Sequence, residues 1–236
     1  MREIVLSSFI NESLNKLENS SIQKKLIATL VFFVSVLTFF TPITHVGLVG
    51  LIVSVLLFVN SQKVNPRKIR LESGAQGENV LKQTLRRILS DSYTAYYGYQ
   101  TQSNGDVDCI VVGPKGVILI EVKNHKGTIL YEERTGWRCV KTGKKGTYEG
   151  FIKNPGKQVT KNYWEIRELL SSYGIDIPVY AVVVFTNPKA TLEIKSPTFG
   201  YKVLKVEDLQ SYIDSLPEKV CPKAIDKAKK AFKCES

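Results

Sequence analysis

The feature that most restricts how this chain can fold is a run of 34 residues, 26–59, without a single Lys, Arg, Asp or Glu. One membrane-spanning helix needs only about 20 apolar residues, and Pro42 lies close to the middle of the run. Two short helices folded into a transmembrane hairpin over 26–60 fit this pattern, and one kinked, strongly tilted span is the alternative. The lipid bilayer is therefore the first expected partner, through residues 26–60.

Basic residues flank the run on both sides. Lys24 and Lys25 precede it, and Lys63, Arg67 and Lys68 follow it. Lys and Arg are enriched in the cytoplasmic flanks of membrane helices. A hairpin therefore predicts a cell-membrane protein with two spans, with both termini and the following domain in the cytoplasm.

The rest of the N-terminal region carries weaker signals. Residues 1–25 alternate apolar and polar positions in a way that suits an amphipathic, juxtamembrane helix, and a solvated leader is the alternative. Residues 61–73 are polar and basic and contain Pro66, which is typical of a linker. Gly47 and Gly50 are small enough for close helix approach and suggest self-association through the hairpin.

The basic charge of the chain belongs to its second part. The formal net charge is +11, from 33 Lys and Arg against 22 Asp and Glu. Residues 1–60 hold four basic and three acidic residues, so 29 basic and 19 acidic residues, or +10, remain in 61–236. Such a domain favours phosphate-bearing or anionic partners. The four cysteines form neither a disulfide framework nor a zinc motif, which indicates a reducing compartment. No nucleotide-binding loop is present, so no small-molecule cofactor is expected.

Residues 74–215 read as one α/β domain, followed by a basic C-terminal helix within 216–236. Short apolar runs bounded by Gly and Pro predict strands, and amphipathic stretches between them predict helices. The predicted order is a helix at 74–89, strands at 94–100, 106–113 and 116–124, a strand pair over GTILYEE and GWRCVK, a helix from Pro155 to about Tyr173, a strand at 178–185 and a helix at 206–213. This order predicts an α/β sandwich.

Polar residues that could carry chemistry stand at the end of the most apolar strand. Alternation places Glu121 and Lys123 on one face, about 7 Å apart along the strand. If the turn at 113–116 closes an antiparallel hairpin, Asp108 at the start of the preceding strand lies beside Glu121. Asp106 makes this assignment ambiguous by two residues, and Asp108 is preferred because it directly precedes the apolar run. Two carboxylates with a backbone carbonyl and waters suit Mg²⁺ or Mn²⁺.

These residues resemble a known family. The pattern of an Asp, a turn and then Glu-X-Lys resembles the PD-(D/E)XK nuclease superfamily. More closely, the segments GAQGENV, DVDCIVVGPKGVILIEVKNHKG, the following Trp137 and NPGKQ at 154–158 resemble the nuclease-related domain, or NERD, over residues 74–190. The resemblance implies a restriction-endonuclease-like α/β sandwich with a central mixed sheet, here preceded by the helical transmembrane hairpin.

The resemblance also implies roles for five residues. Asp108 and Glu121 match the metal-binding acids, and Lys123 matches the superfamily lysine. Glu78 matches an acid on the first helix that acts through a metal-bound water, and Gln158 matches a glutamine at the rim of the site. The implied activity is metal-dependent hydrolysis of phosphodiester bonds in nucleic acid, DNA rather than RNA.

Two other functions remain open on the sequence alone. One is a catalytically silent, membrane-tethered module that binds nucleic acid or a partner, and the other is a protein that only docks on lipid. Basic residues around a glycine-rich stretch would attract phosphates or anionic lipid heads; they are Lys141, Lys144, Lys145, Lys153, Lys157 and Lys161.

Overall fold

The computed structural model describes residues 1–6, 9–39, 44–63, 65–103, 105–144, 146–195, 200–217 and 220–234. The chain divides into two compact units, one made of residues 9–73 and the other of residues 1–8 together with 74–236. The helices are α1 (Phe9–Phe39), α2 (Thr44–Ser61), α3 (Pro66–Ile88), α4 (Pro155–Ser172), α5 (Leu209–Ser215) and α6 (Pro222–Cys234). The strands are β1 (Arg2–Val5), β2 (Thr94–Gln100), β3 (Asp106–Gly113), β4 (Gly116–Lys123), β5 (Gly127–Glu132), β6 (Gly136–Gly143), β7 (Gly146–Phe151), β8 (Val179–Phe185), β9 (Ala190–Ile194) and β10 (Lys202–Lys205).

The unit of residues 9–73 contains two apolar helices that pack against each other. A Cβ on Gly50 of α2 would lie 2.1 Å from Ser35 Oγ of α1, so the small residue permits close contact within the pair. Most large apolar side chains on both helices are exposed. By length and composition, these are two helices that could cross a membrane. The expected interruption at Pro42 lies outside the described residues.

The other unit is built on a six-stranded mixed sheet in the order β1-β2-β3-β4-β8-β10. The pairs β2–β3 and β3–β4 are antiparallel, whereas β1–β2, β4–β8 and β8–β10 are parallel. β4 is buried along nearly its whole length because it lies in the middle of the sheet with helices on both sides. This arrangement confirms the predicted α/β fold with a central mixed sheet.

Each face of the sheet carries its own apolar core. Leu81 and Leu85 of α3 pack with α5 against one face, and α4 and α6 pack against the other. Phe232 of α6 is fully buried and contacts the rings of Tyr96 and Tyr99, with centroids 5.6 and 5.5 Å away. A second, four-stranded sheet in the order β7-β6-β5-β9 shares a third core with β8 and α4. The C-terminal helix thus completes the sandwich.

The first residues of the chain differ from the expected helix. Residues 2–5 form the edge strand β1, which runs parallel to β2 with Ile4 opposite Tyr96. Backbone bonds at both ends fix the strand, from Arg2 N–H to Tyr93 O at 3.1 Å and from Leu6 N–H to Tyr97 O at 2.9 Å. The physical reason is long-range pairing: the run Ile4-Val5-Leu6 is β-prone, and the open edge of β2 supplies the hydrogen-bond partners that a local pattern does not reveal.

The expected linker at 61–73 is largely helical, because α3 begins at Pro66. Asn65 caps it by accepting a hydrogen bond from Arg67 N–H at 2.9 Å, and Pro66 occupies the first helical position, where its missing N–H costs nothing. The strands β7, β9 and β10 also went unpredicted. They are four to six residues long, and their pairing partners rather than their own apolar patterns define them.

The strand β1 leads to a prediction about stability. Ile4 packs against the core on the α4 and α6 side of the sheet, whereas its neighbour Val5 is 58% exposed. We expect Ile4→Asp to lower the free energy of unfolding by about 1–3 kcal/mol, because it places a charge against apolar side chains. Val5→Asp should change it by less than about 0.5 kcal/mol. Denaturant unfolding of the full chain in detergent measures both, and equal effects would contradict the role of β1.

Candidate active site

The site lies where two hydrogen-bonded strands separate. The antiparallel pairing of β3 with β4 runs from Gly113 and Gly116 to Cys109 and Ile120. Beyond this pair, a side chain replaces the backbone carbonyl as hydrogen-bond acceptor: Val122 N–H donates to the carboxylate oxygen Oδ2 of Asp108 at 2.6 Å. A side chain thus spans the gap between the strands. The expected hairpin is confirmed, and it brings Asp108 next to Glu121 in register.

The other neighbour of Asp108 is a glycine. β2 pairs with β3 on both sides of this point, with Tyr97 opposite Cys109 and Tyr99 opposite Val107, so Gly98 falls opposite Asp108. Gly98 has a φ of +65°, in the left-handed region that disfavours other residues. No side chain from β2 therefore crowds Asp108. The glycine in TAYYGYQ was the signal for this opening, and the sequence reasoning did not use it.

Glu121 is the most buried charged residue of the site, with 1% of its surface exposed. Its Oε1 accepts a hydrogen bond from Lys123 Nζ, whereas no hydrogen-bond partner for the buried Oε2 lies among the described residues. Burial raises the pKa of Glu121 to about 8, and the nearby charge of Asp108 acts in the same direction, against the pull of Lys123. Glu121 is thus hydrogen-bonded to Lys123 through Oε1, and its Oε2 has no hydrogen-bond partner among the described residues.

Asp108 and Glu78 complete a group of acids that repel one another. Burial raises the pKa of Asp108, opposed by its hydrogen bond from Val122 and by the charge of Lys123. Burial, together with the charge of Asp108, raises the pKa of Glu78 to about 7. Asp106 is exposed at the beginning of β3, where it adds negative charge, and its carboxylate accepts no backbone hydrogen bond from the residues that the structure describes. The geometry thus favours Asp108 over Asp106.

Glu78 reaches this place because its neighbour is a glycine. Gly77 lets α3 approach the ends of β4 and β8 closely: a Cβ there would lie 2.9 Å from Asn124 Cβ, 2.9 Å from Thr186 Oγ1 and 3.2 Å from Val122 Cγ1. Thr186 extends β8 and donates its backbone N–H to Lys123 O at 3.0 Å. Sequence reasoning singled out Glu78 but missed Gly77 and Thr186.

Gln158 lies on the first turns of α4 and is half-buried. The helix start is fixed by Asn154, whose Oδ1 accepts a hydrogen bond from Lys157 N–H at 3.1 Å, and by Pro155 at the first helical position. These residues explain why NPGKQ begins a helix. They orient the backbone that carries Gln158, whose part in the site stays a prediction.

Positive charge reaches the site from the segment that leads into α4. The charge of Lys153 lowers the pKa of Glu121, although its effect is smaller than that of burial. Of the expected basic group, Lys141, Lys144, Lys153, Lys157 and Lys161 are exposed, and Lys145 lies outside the described residues. Tyr96, Tyr97 and Tyr99 on β2 are buried in the core, so they are packing residues rather than surfaces for stacking bases.

A divalent cation fits these residues, although they do not form a complete cage. Among the described residues, no three His, Cys, Asp or Glu side chains are grouped closely enough to hold a metal ion. The unpaired buried oxygen of Glu121 and the adjacent carboxylate of Asp108 are nevertheless the hard oxygen donors that Mg²⁺ and Mn²⁺ prefer. Mg²⁺ commonly uses one or two carboxylates and keeps several waters.

Comparisons with known proteins agree with this arrangement. Residues 73–186 match the family described as nuclease-related domain. The chain is also similar to an uncharacterized protein of Bacillus anthracis, with 29% identity over 175 residues that cover 70% of this chain and 76% of the relative. No solved structure matches the chain.

The packing of Gly77 yields a second prediction. We expect Gly77→Ala to destabilise the domain by about 1–3 kcal/mol, because the new methyl group has no space between α3 and the strand ends. Helix propensity alone would make the same change favourable by about 1 kcal/mol. The control is Gly143→Ala, where a Cβ meets nothing within 4 Å. Thermal unfolding of both variants checks this, and an unchanged or raised midpoint for Gly77→Ala would contradict the close contact.

Proposed function

We propose that this chain, whose residues 73–186 match the nuclease-related domain family, is a membrane-anchored, metal-dependent nuclease. The observation that carries the proposal is the polar group at the separated ends of β3 and β4. A buried acid with an unpaired oxygen, a second acid in register and a lysine bonded to the first acid converge there. Burying such a group without a ligand is unfavourable for folding, so a functional role explains it best.

In the proposed mechanism, Asp108 and Glu121 hold Mg²⁺ or Mn²⁺. The cation would supply an activated water and neutralise charge on the scissile phosphate. Asp108 is kept in position by the Val122 N–H, which donates to Oδ2, and its other carboxylate oxygen would bind the cation. Lys123, whose side chain is 19% exposed, can leave Glu121 and turn its ammonium group towards the phosphate.

Two further residues act beside this centre in the proposal. Glu78, whose pKa is raised to about 7, can hold or release a proton near neutral pH and orient a water between α3 and Asp108. Gln158 would contact the substrate at the rim from α4. Lys153 and the other exposed lysines would attract the phosphate backbone and make binding weaker at high salt. We propose DNA rather than RNA as the substrate, following the family resemblance.

The alternative function is a catalytically silent module that binds nucleic acid. It shares the fold and the basic surface, and it differs only in what the polar group does. The hydrogen bond between Lys123 and Glu121 favours this alternative, in which the two residues form a purely structural ion pair. The two functions separate experimentally, because binding alone requires neither the metal nor Lys123.

The proposal predicts hydrolysis that depends on both. Purified full-length protein in detergent should cleave plasmid or oligonucleotide DNA with Mg²⁺ or Mn²⁺, and EDTA should abolish cleavage. Lys123→Ala should lower the cleavage rate at least about 100-fold, since the loss of one charge-stabilising group costs about 3 kcal/mol in the transition state. Gel-based cleavage assays on DNA and RNA measure the rates.

The matched control is Lys227→Ala, which removes an exposed lysine from α6 and should leave the rate unchanged. Binding to labelled DNA should survive in Lys123→Ala, with the affinity changing less than about fivefold because one phosphate contact among several is lost. If the wild-type protein binds DNA without cleaving it, and EDTA does not change this binding, the nuclease hypothesis is wrong and the silent binding module is the better description.

We also propose that the hairpin places both termini and the nuclease-related domain in the cytoplasm. The strand β1 supports an even number of crossings, because residues 2–5 are hydrogen-bonded to β2 of the domain that follows the apolar helices. A single tilted span would separate these paired strands by a bilayer. The apolar arms, 26–39 of α1 and 44–59 of α2, are about 21 and 24 Å long, so the bilayer would thin locally around them.

Labelling across the membrane tests this topology. His45, at the beginning of α2, is exposed. In intact cells, a membrane-impermeant maleimide should label the His45→Cys variant at the new thiol, whereas Cys221, which is exposed and follows α5, should react only after the cells are opened. Labelling of Cys221 in intact cells would show that the domain lies outside the cytoplasm, which is opposite to the proposed orientation. If the thiol introduced by His45→Cys stays unlabelled in intact cells, the hairpin enters the bilayer without crossing it.

A further inference from the structure

A polar cavity of about 360 Å³ lies at the base of the hairpin, within the unit of residues 9–73. It is formed where one end of α2 meets the middle of α1 and the beginning of α3. Its lining includes three lysines, Lys24, Lys63 and Lys68, together with Ser20, Ser21 and Ser61, of which Ser61 already donates its hydroxyl to Phe58 O at 2.7 Å. Ammonium groups and hydroxyls are hydrogen-bond donors suited to a phosphate group.

The charges around the cavity leave two lysines available. Lys68 is already neutralised, since its Nζ lies 2.9 Å from Glu18 and 3.7 Å from Glu72. Both carboxylates raise the pKa of Lys68. Lys24 and Lys63 have no ion-pair partner among the described residues, and they flank the charge-free segment on either side. Two uncompensated cations therefore stand at the level where headgroups would lie.

An apolar groove of about 240 Å³ begins one helical turn deeper on the same two helices. On α1 the lining passes from Lys24 to Ala28 and then Phe32, all on one helix face at spacings of four. On α2 it passes from Ser61 to Phe58 and then Val55 and Ser54. Its wall is almost wholly apolar, as an acyl chain requires.

We propose that this pair of cavities is a binding site for one anionic phospholipid, with its phosphate between Lys24 and Lys63 and an acyl chain in the groove. The polar cavity matches the headgroup of a lipid, and the adjoining apolar groove matches its acyl chain. Either cavity alone would not indicate a lipid. The site rests on the proposed insertion of the hairpin into a bilayer. Basic pockets at the cytoplasmic ends of membrane helices are suited to acidic headgroups. The ligand would link the three helices that surround it.

Native mass spectrometry of the full chain in detergent tests the site, with phosphatidylglycerol as the probe and phosphatidylcholine as the neutral comparison. The wild-type protein should retain one phosphatidylglycerol. Lys24→Gln with Lys63→Gln should weaken its binding about 30-fold, since each lysine near an anionic lipid contributes a factor of about five. Val55→Trp, which fills the groove at an exposed position, should weaken it with both lysines in place.

The matched control is Lys25→Gln with Arg70→Gln, which removes the same charge from residues that do not line the cavity. If the control weakens phosphatidylglycerol binding as much as Lys24→Gln with Lys63→Gln does, the binding is general surface attraction and the proposal is overturned. Equal retention of phosphatidylcholine, or full competition by the soluble headgroup glycerophosphoglycerol, would also overturn it. Membrane insertion is read separately: release of the wild-type protein by alkaline carbonate would refute the anchor itself.

Discussion

The pairing of β4 with its two neighbours is the constraint on which the rest of the domain depends. β4 runs antiparallel to β3 on one side and parallel to β8 on the other, so its apolar residues are buried on both faces. The two strands β3 and β4 separate after the pair Cys109–Ile120, and polar residues follow on both strands at that point. Glu121 is carried into the interior because the residues before it belong there. The core thus provides both the position and the low dielectric of the site.

The buried carboxylates at the end of β4 lower the stability of the fold. Two carboxylates close together, with raised pKa values, oppose folding at neutral pH, since the charged forms are desolvated and repel each other. Lys123 compensates one of them only in part. The surrounding strands and α3 hold the group in place, and Gly77 provides space between α3 and the strand ends that a side chain would otherwise fill. A cation that binds there would recover part of the lost stability.

The apolar helices and the α/β domain are joined through the chain in two places. α3 carries the connection on one side, and on the other side residues 6–8 separate β1 from α1. Because β1 belongs to the sheet, the chain leaves the domain, passes through the apolar helices and returns to it. If the apolar helices enter a membrane as proposed, this N-terminal strand requires an even number of crossings, which hydropathy by itself does not specify.

Several parts of the protein could be read from the sequence. The charge-free run, the buried strand 116–122 and its terminal Glu-X-Lys depend on local composition and alternation, which act over a few residues. The order of elements then implied the mixed α/β fold, and the turn at 113–116 implied that Asp108 lies beside Glu121. Other features depend on partners that are distant in sequence. The edge of β2 makes a strand of residues 2–5, and the packing of α3 on Asn124 and Thr186 explains Gly77.

The sequence by itself thus determined the pair of apolar helices, the class of fold and the residues of the candidate site, because these follow from hydrophobic periodicity and from the chemistry of a few side chains. Only the tertiary structure shows that the Val122 N–H donates to the carboxylate of Asp108, which supports Asp108 as the site residue. It also revealed the unpaired oxygen of Glu121 and the two adjoining cavities of the hairpin. Burial and the meeting of separate helices are properties of the folded chain, and no local pattern encodes them.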